Sequence, residues 1–177
     1  MKIAISGKSG CGNTTVTKLV AEKLKIEYIN FTFRNLAEKK GMTLAQILEA
    51  AQHDDYWDKE TDKLQVEMAR LAGDCVLGSR LAIWLLEEAD IKVYLRASTD
   101  VRVRRIVERE GGDFDAIKTF TEKRDAEDHE RYMRIYNIDN DDYKFVDMVI
   151  DSGRLRAEEI AEKITARVKE LNPDYEA

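Results

Sequence analysis

The feature that most constrains this chain is a glycine-rich loop lying between a strand-like run and a helix-like run. The apolar run Lys2–Ser6 ends at the loop, and Val16, Leu19, Val20 and Leu24 follow it at helical spacing. A strand, a loop and a helix in this order favour an α/β fold, in which the loop lies at the carboxyl end of the strand.

The loop reads Gly7-Lys-Ser-Gly-Cys-Gly-Asn-Thr-Thr15, which has the spacing of the phosphate-binding pattern G-x-x-x-x-G-K-[ST]. Glycines let backbone N–H groups converge on phosphate oxygens, and the following helix N-terminus adds unpaired donors. We therefore predict that nine residues bind nucleotide phosphates: Gly7, Lys8, Ser9, Gly10, Cys11, Gly12, Asn13, Thr14 and Thr15. Thr14 occupies the hydroxyl position that ligates Mg2+. The alternative is a glycine-rich turn without a ligand, which the flanking strand and helix disfavour.

Position 13 departs from the pattern, because asparagine stands where lysine is expected. Asparagine can donate hydrogen bonds, but it lacks the positive charge that neutralises the β and γ phosphates. Lys8 has a side chain long enough to swing over the loop and supply that charge. Equally, Lys8 could be a solvated lysine on the loop rim. The sequence leaves both interpretations open.

Four further short apolar runs predict strands, and helical patterns separate them: Tyr28–Ile29, Cys75–Leu77, Ile91–Leu95 and Phe145–Ile150. Five strands that alternate with helices predict a parallel sheet covered on both faces, a three-layer α/β/α domain. A chain of 177 residues with 44% hydrophobic content suffices for one such domain.

A helical insertion lies between the second and third predicted strands. Its first helix begins near Phe33 and stops at Gly41, and Thr43 with Gln46 forms a capping box for the second. A third helix is predicted to carry one apolar face: Trp57, Leu64, Met68 and Leu71.

Two further helices are predicted in the second half of the chain. Ser98 or Thr99 caps the first of these helices, and Gly111-Gly112 interrupts it. This break is where a lid could begin. The last helix ends before Pro173 and has four apolar residues at helical spacing: Ile160, Ile164, Val168 and Leu171.

Arginines occur where they could converge on an anion. Arg80 directly follows the third predicted strand, and ligands of open α/β sheets bind at that edge. Two sets share a helix face by their spacing: Arg124, Asp128 and Arg131, and Arg102, Arg105 and Arg109. The alternative for each of these arginines is a position on a solvated surface, where it forms salt bridges without binding a ligand.

Composition excludes some function classes. A net charge of -6 gives no general attraction to nucleic acid, and no apolar run approaches the roughly 20 residues that cross a bilayer. Cys11 and Cys75 are expected to be free thiols of a reducing compartment. We therefore expect a cytoplasmic protein without nucleic-acid or membrane partners.

With these residues in place, the chain resembles the cytidylate kinases, in particular the short archaeal-type branch of the nucleoside monophosphate kinases within the P-loop NTPase superfamily. The resemblance runs from residue 1 to about residue 153. It rests on these segments: Thr14-Thr15-Val16, Phe33-Arg-Asn-Leu-Ala37, Asp58, Asp62, Gln65, Arg80-Leu-Ala82, Trp84, Arg124-Asp125, Asp128-x-x-Arg131-Tyr132 and Tyr136-Asn-Ile-Asp139.

The resemblance implies an activity and a division of the chain. It implies ATP and Mg2+ as co-substrate and cofactor, and CMP or dCMP as the phosphoryl acceptor. The core would comprise residues 1–30, 73–109 and 136–177, with a monophosphate-binding insertion at about 31–72 and a lid at about 110–135. A monomer is expected.

Residue roles are also implied by the resemblance. Arg34, Arg80 and Arg131 look like ligands of the CMP phosphate, and Asp62 like a reader of the cytosine edge. Asp128 would position the ribose or order Arg131. Arg105, Arg109 and Arg124 resemble the lid arginines that stabilise charge on the transferred phosphoryl group. Together with Lys8, if it replaces the missing lysine charge, they are the predicted catalytic residues.

Two departures from the family leave alternatives open. Besides Asn13, the chain has Gly78-Ser79 where the family usually places an acidic residue that helps to order Mg2+. The loss of both charges could mark a non-catalytic nucleotide sensor. A kinase for another small acceptor is the other alternative, since one scaffold serves many acceptors.

Overall fold

Strand β1, Lys2–Ser6, is the central strand of a five-stranded parallel sheet. The computed structural model describes residues 1–173. The other strands are β2 (Glu27–Ile29), β3 (Cys75–Gly78), β4 (Ile91–Arg96) and β5 (Met148–Asp151). Their order across the sheet is β2-β3-β1-β4-β5, so the carboxyl ends of all the strands meet at one edge.

Helices connect the strands and cover both faces of the sheet. They are α1 (Asn13–Leu24), α2 (Phe33–Lys40), α3 (Leu44–Ala51), α4 (Tyr56–Leu71), α5 (Ala82–Leu85), α6 (Thr99–Glu110), α7 (Phe114–Tyr136) and α8 (Ala157–Leu171). The predicted three-layer α/β/α fold is confirmed. The four-residue helix α5 is too short for a periodic pattern and was not predicted.

Alternation along β1 supplies a core on each face of the sheet. Ile3 and Ile5 are fully buried in one cluster with Val20 of α1 and Ile164 of α8. Ala4 points the other way, into a second cluster with residues of α4 and α5. Each fully buried aliphatic side chain stabilises the fold by about 1.5–3 kcal/mol.

The insertion has a small core of its own. Leu36 and Ile47 are fully buried there, and Phe33, Trp57 and Leu64 pack against them. As predicted, α2 ends at Gly41, and Thr43 and Gln46 form a capping box at α3. The helices of the insertion are therefore fixed to each other as well as to the sheet.

The predicted apolar face of α4 was partly wrong. Met68 is 41% exposed and Leu71 is 88% exposed. The residues that α4 buries are instead Asp58, Thr61, Gln65, Val66 and Ala69. Since three of these five are polar, hydrophobic spacing could not identify the buried face.

The last strand begins later than predicted, at Met148 and not at Phe145. Phe145 is 51% exposed, and Val146 N–H donates to the carbonyl of Tyr143, which makes this segment a turn. An apolar run was therefore mistaken for strand where its aromatic side chain packs edge-on against Trp84.

The ends of α6 and of the last helix agree with the prediction, whereas no ends were predicted for α7. Ser98 caps α6, which ends at Glu110 before Gly111, and α7 begins after Asp113, whose carboxylate accepts from Ala116 N–H. The final helix ends at Leu171, before Pro173. Leu171 itself is 44% exposed, so it lies outside the core.

A substitution at Gly78 would test how tightly β3 packs against α1. A Cβ atom at Gly78 would collide with the side chain of the fully buried Thr17, whereas one at Gly73 would meet no atom within 4 Å. We expect Gly78→Ala to lower the free energy of unfolding by about 1–3 kcal/mol, because overpacking forces neighbours apart. Urea denaturation measures this change.

Gly73→Ala is the matched control and should leave stability nearly unchanged. Equal stability of both variants would contradict the account, since it would mean that Thr17 does not exclude a side chain at Gly78.

Candidate active site

An open cleft of about 1390 Å³ lies at the carboxyl edge of the sheet. Its walls come from the glycine-rich loop, the insertion, the residues after β3, and helices α6, α7 and α8. Most residues predicted for the site line it: Lys8, Ser9, Gly10, Cys11, Gly12, Asn13, Thr14, Thr15, Asp62, Arg80, Arg105, Arg109, Arg124, Asp128 and Arg131.

The loop needs its glycines for two different reasons. Gly10 and Gly12 have φ angles of 84° and 94°, which favour glycine. Gly7 lies outside the cleft lining, beneath the loop, where a Cβ atom would lie 2.7 Å from Asn13 Oδ1. Thr14 is exposed in the first turn of α1 and faces the cleft.

Asn13 closes the loop on itself. Its Nδ2 donates to the carbonyl of Gly7 at 2.5 Å, so the amide joins the two ends of the loop. This contact explains how asparagine serves the fold at this position, and it supplies no positive charge.

Lys8 forms an ion pair with Asp141, at 2.7 Å between Nζ and Oδ1. The Asp141 side chain is 55% exposed, and exposed ion pairs contribute little, typically about 0–1 kcal/mol. Lys8 is therefore paired with Asp141, and it is neither a free lysine on the loop rim nor placed over the loop. The ion pair that holds it is weak.

Two arginines of α6 hold the loop through its backbone. Arg102 Nη1 donates to the carbonyl of Ser9 at 3.1 Å, and Arg105 Nη1 donates to the carbonyl of Gly10 at 3.2 Å. Because a trans peptide directs its C=O and N–H in opposite directions, the contact at Ser9 turns Gly10 N–H away from Arg102. Arg105 also binds Ser152 beyond β5.

Arg102 was missed as a site residue. Its side chain is 4% exposed and makes a bidentate contact with Asp125 of α7, at 2.5 and 3.2 Å. The available signal was the helix face that it shares with Arg105, but spacing does not reveal which arginine is buried.

A chain of alternating charges lies on the other side of the cleft. Asp128 is 7% exposed and accepts from Arg80 at 2.7 Å and from Arg131 at 2.6 Å. Arg131 Nε lies 3.3 Å from the carboxylate of Asp58 on α4. Of the two roles implied for Asp128, ordering Arg131 is the one visible in the contacts.

Arg124 has no ion-pair partner within residues 1–173. Arg124 is exposed at the cleft surface, where partial desolvation and then the neighbouring Arg80 guanidinium lower the pKa of its side chain. Arg80, Arg124 and Arg131 lie near three carboxylates, Asp58, Asp62 and Asp128. The cleft lining as a whole has seven basic and five acidic side chains, so positive charge is in excess there. Such a cluster favours an anionic ligand.

Asp62 lies deeper in the cleft wall. Its two oxygens accept from Tyr136 Oη and from Gln65 Nε2, each at 2.7 Å. Burial raises the pKa of Asp62 to about 6, and the two hydrogen bonds only partly oppose this effect.

Two predicted residues are less closely associated with the cleft. Arg34 is exposed on α2 and does not line it, although its neighbours Phe31, Thr32 and Phe33 do. Arg109 lines the cleft but pairs with the adjacent Glu110, and its side chain is 63% exposed. Their roles stay predictions.

Comparisons with known proteins agree with this geometry. The family model described as "Cytidylate kinase-like family" matches residues 2–154. "Cytidylate kinase 2" of Borreliella afzelii is 42% identical, with 97% of this chain and 98% of that protein covered. "Cytidylate kinase" of Archaeoglobus fulgidus is 39% identical, with coverages of 98% and 99%. Shikimate kinase from Acinetobacter baumannii superposes with a TM-score of 0.65 at 17% identity, covering 97% of this chain and 94% of that one.

The fold, the glycine loop and the arginine-lined cleft define a P-loop kinase. Within that class, the chain belongs to the cytidylate kinase-like family, because the family match and the relatives extend over most of its length. The resemblance drawn from its motifs is thereby confirmed. In the described part of the chain, no helix is long and apolar enough to span a bilayer, and both cysteines are buried and free.

The raised pKa of Asp62 predicts a pH-dependent stability. The folded protein binds this proton more tightly than the unfolded chain, so Asp62 favours folding below about pH 4, and this contribution is lost as pH rises through 6. Relative to Asp62→Asn, the wild type should lose on the order of 2 kcal/mol between pH 4 and pH 7.

Urea denaturation of both proteins at these pH values measures the difference, and groups common to both cancel. Parallel stability profiles would mean that the Asp62 carboxyl is not desolvated.

Proposed function

We propose that this protein is a cytidylate kinase, which transfers the γ-phosphoryl group of ATP to CMP or dCMP and yields ADP and CDP or dCDP. Family membership supports the reaction class, and cytidylate kinase is the printed name of relatives that align over almost the whole chain. The cleft supports it in chemical terms, since a backbone loop suited to phosphates faces a cluster of guanidinium groups.

In this proposal the loop binds the phosphates of ATP through its backbone N–H groups and the N-terminus of α1. Arg102 and Arg105 bind the carbonyls of Ser9 and Gly10, which restrains the loop before the nucleotide arrives. Arg105 and Arg109 then contribute positive charge to the same side of the cleft.

Mg2+ would be held by Thr14, and Ser79 lines the same cleft. The hydroxyl of Ser79 is buried and has no hydrogen-bond partner among the described residues, which suits a neutral oxygen ligand or a contact to a metal-bound water. When bound, Mg2+ supplies neutralisation of phosphate charge. The neutral Gly78-Ser79 pair thus fits a metal that keeps several waters.

The acceptor phosphate is assigned to Arg80, Arg124 and Arg131. The observation that carries the proposal is Arg124, which lines the cleft beside two arginines that share Asp128 and, among residues 1–173, forms no ion pair of its own. A phosphate dianion would neutralise this excess charge. The same guanidinium groups would stabilise negative charge on the phosphoryl group during its transfer.

A non-catalytic nucleotide sensor is the second candidate. Asn13 favours it, because its amide is engaged with Gly7 and leaves the loop without the lysine charge. In the kinase proposal Lys8 supplies that charge, by leaving its exposed pair with Asp141 when ATP binds. We expect the protein to be a cytoplasmic monomer in either case.

The kinase proposal predicts ADP release with CMP and dCMP in a coupled assay, and much less with UMP, AMP or shikimate. Turnover should require Mg2+. Tight ATP and CMP binding by calorimetry without turnover would favour the sensor, and turnover with another acceptor alone would contradict the cytidylate assignment.

The same assay tests Lys8. Loss of one charge-assisted phosphate contact predicts a decrease in kcat/KM for ATP of about 10- to 100-fold in Lys8→Ala. Lys23→Ala is the control, because Lys23 also forms an exposed ion pair but lies away from the cleft. Wild-type kinetics in Lys8→Ala would refute the role of Lys8.

A further inference from the structure

Gln65, in the wall of the cleft, has an acceptor atom without a hydrogen-bond partner among the described residues. It lies on α4, is 2% exposed, and lines the cleft beside Thr61 and Asp62. Its Oε1 atom is buried and has no hydrogen-bond partner in the part of the chain that is described. A buried polar atom without a partner destabilises the protein, so its place beside a ligand cleft calls for a donor from the ligand.

The orientation of this amide is fixed by its neighbours. Gln65 Nε2 donates to Asp62 Oδ1, and Tyr136 Oη donates to Asp62 Oδ2, each at 2.7 Å. An ionised carboxylate only accepts hydrogen bonds, so it requires the NH2 group of Gln65 to face it. Rotating the amide by 180° would place two oxygens in contact. Tyr136 of α7 and Asp62 thus hold Oε1 on the side of the amide that is turned away from the carboxylate.

This arrangement differs from the role first predicted for Asp62. Both oxygens of that carboxylate already accept a hydrogen bond from the protein, whereas Gln65 Oε1 accepts none. The amide oxygen is therefore the acceptor that has no donor at all, and the direct contact predicted for Asp62 stays a prediction.

We propose that Gln65 is a specificity-determining residue whose Oε1 accepts a hydrogen bond from the exocyclic amine of the acceptor base. This inference rests on the proposed function and names the group that selects cytosine over uracil. Cytosine presents an N–H donor at the position where uracil presents a carbonyl oxygen. Facing Oε1, that carbonyl would leave two buried acceptors opposed, and sites built on such polar pairing discriminate strongly.

The choice of acceptor base also explains the buried network. A freely rotating glutamine could present either its oxygen or its NH2 group and would serve both pyrimidines. Locking the amide with Asp62 and Tyr136 removes that freedom, so the selectivity depends on three residues from two helices. Tyr136 and Asp62 are positioning residues in this proposal, because they orient Gln65.

The test compares CMP with UMP in Gln65→Leu, which keeps the size of the side chain and removes the acceptor. We expect the ratio of kcat/KM for CMP to that for UMP to fall by about 10- to 100-fold, with the KM for ATP unchanged. Tyr136→Phe removes the hydrogen bond to Asp62 and leaves Gln65 in place. The ratio of kcat/KM for CMP to that for UMP should therefore fall by a smaller factor in this variant.

Lys63→Leu, an exposed position on the same helix, is the control and should retain the wild-type ratio. Gln65→Met replaces Gln65→Leu if the latter does not fold, as judged by its melting temperature. A ratio equal to that of the wild type in a folded Gln65 variant overturns the proposal, because a merely structural residue would not alter the choice of base.

The wild type separates this failure from failure of the proposed function. If it turns over neither nucleotide, the kinase proposal fails, and calorimetric affinities for CMP and UMP then provide the same ratio for each variant. Loss of the affinity ratio in Gln65→Leu would still support base reading by Gln65, and an unchanged affinity ratio would overturn it.

Discussion

The bridge that Asp128 makes between Arg80 and Arg131 is the interaction on which the acceptor side of the cleft depends. Two guanidinium groups from different parts of the chain repel each other unless an anion lies between them. Asp128 provides that anion at 2.7 and 2.6 Å, and Asp58 extends the alternation to the insertion. The segment after β3, helix α4 and helix α7 are therefore joined through charge, and Arg124 beside them forms no ion pair within residues 1–173.

Helix α7 connects the two halves of the site. At Asp125 it binds Arg102, which holds the Ser9 carbonyl of the glycine loop, and at Asp128 and Arg131 it forms the acceptor cluster. A movement of α7 would therefore affect the loop and the acceptor cluster together. This coupling suits phosphoryl transfer, in which two charged nucleotides must be aligned and stabilised more than chemically activated.

Local patterns in the sequence sufficed for features that depend on neighbouring residues. The glycine loop, the capping box at Thr43, the break at Gly111 and the shared face of Arg124, Asp128 and Arg131 all follow from spacing. The burial of individual side chains and their pairing with distant segments could not be predicted from spacing. Arg102 looked like any other arginine of its helix, and the partner of Lys8 lies in a loop that no local rule associates with it.

The insertion shows most clearly that spacing in the sequence does not predict which side chains are buried. Hydrophobic spacing on α4 selected Met68 and Leu71, yet the helix turns Asp58 and Gln65 inward because the cleft requires polar groups there. Functional sites are where local rules fail most often, since polar residues are buried there for the ligand. The pairing of Asp62 with Tyr136 joins two helices and became visible only in the folded chain.

The convergence of arginines on a phosphate is tested most directly by calorimetric affinities for CMP and for cytidine, which lacks the phosphate. In the wild type CMP should bind more tightly by a large factor, and Arg80→Gln should reduce that factor by about 10- to 100-fold while leaving the affinity for cytidine nearly unchanged. A CMP-to-cytidine ratio that Arg80→Gln does not alter would contradict the assignment of this cluster to the acceptor phosphate.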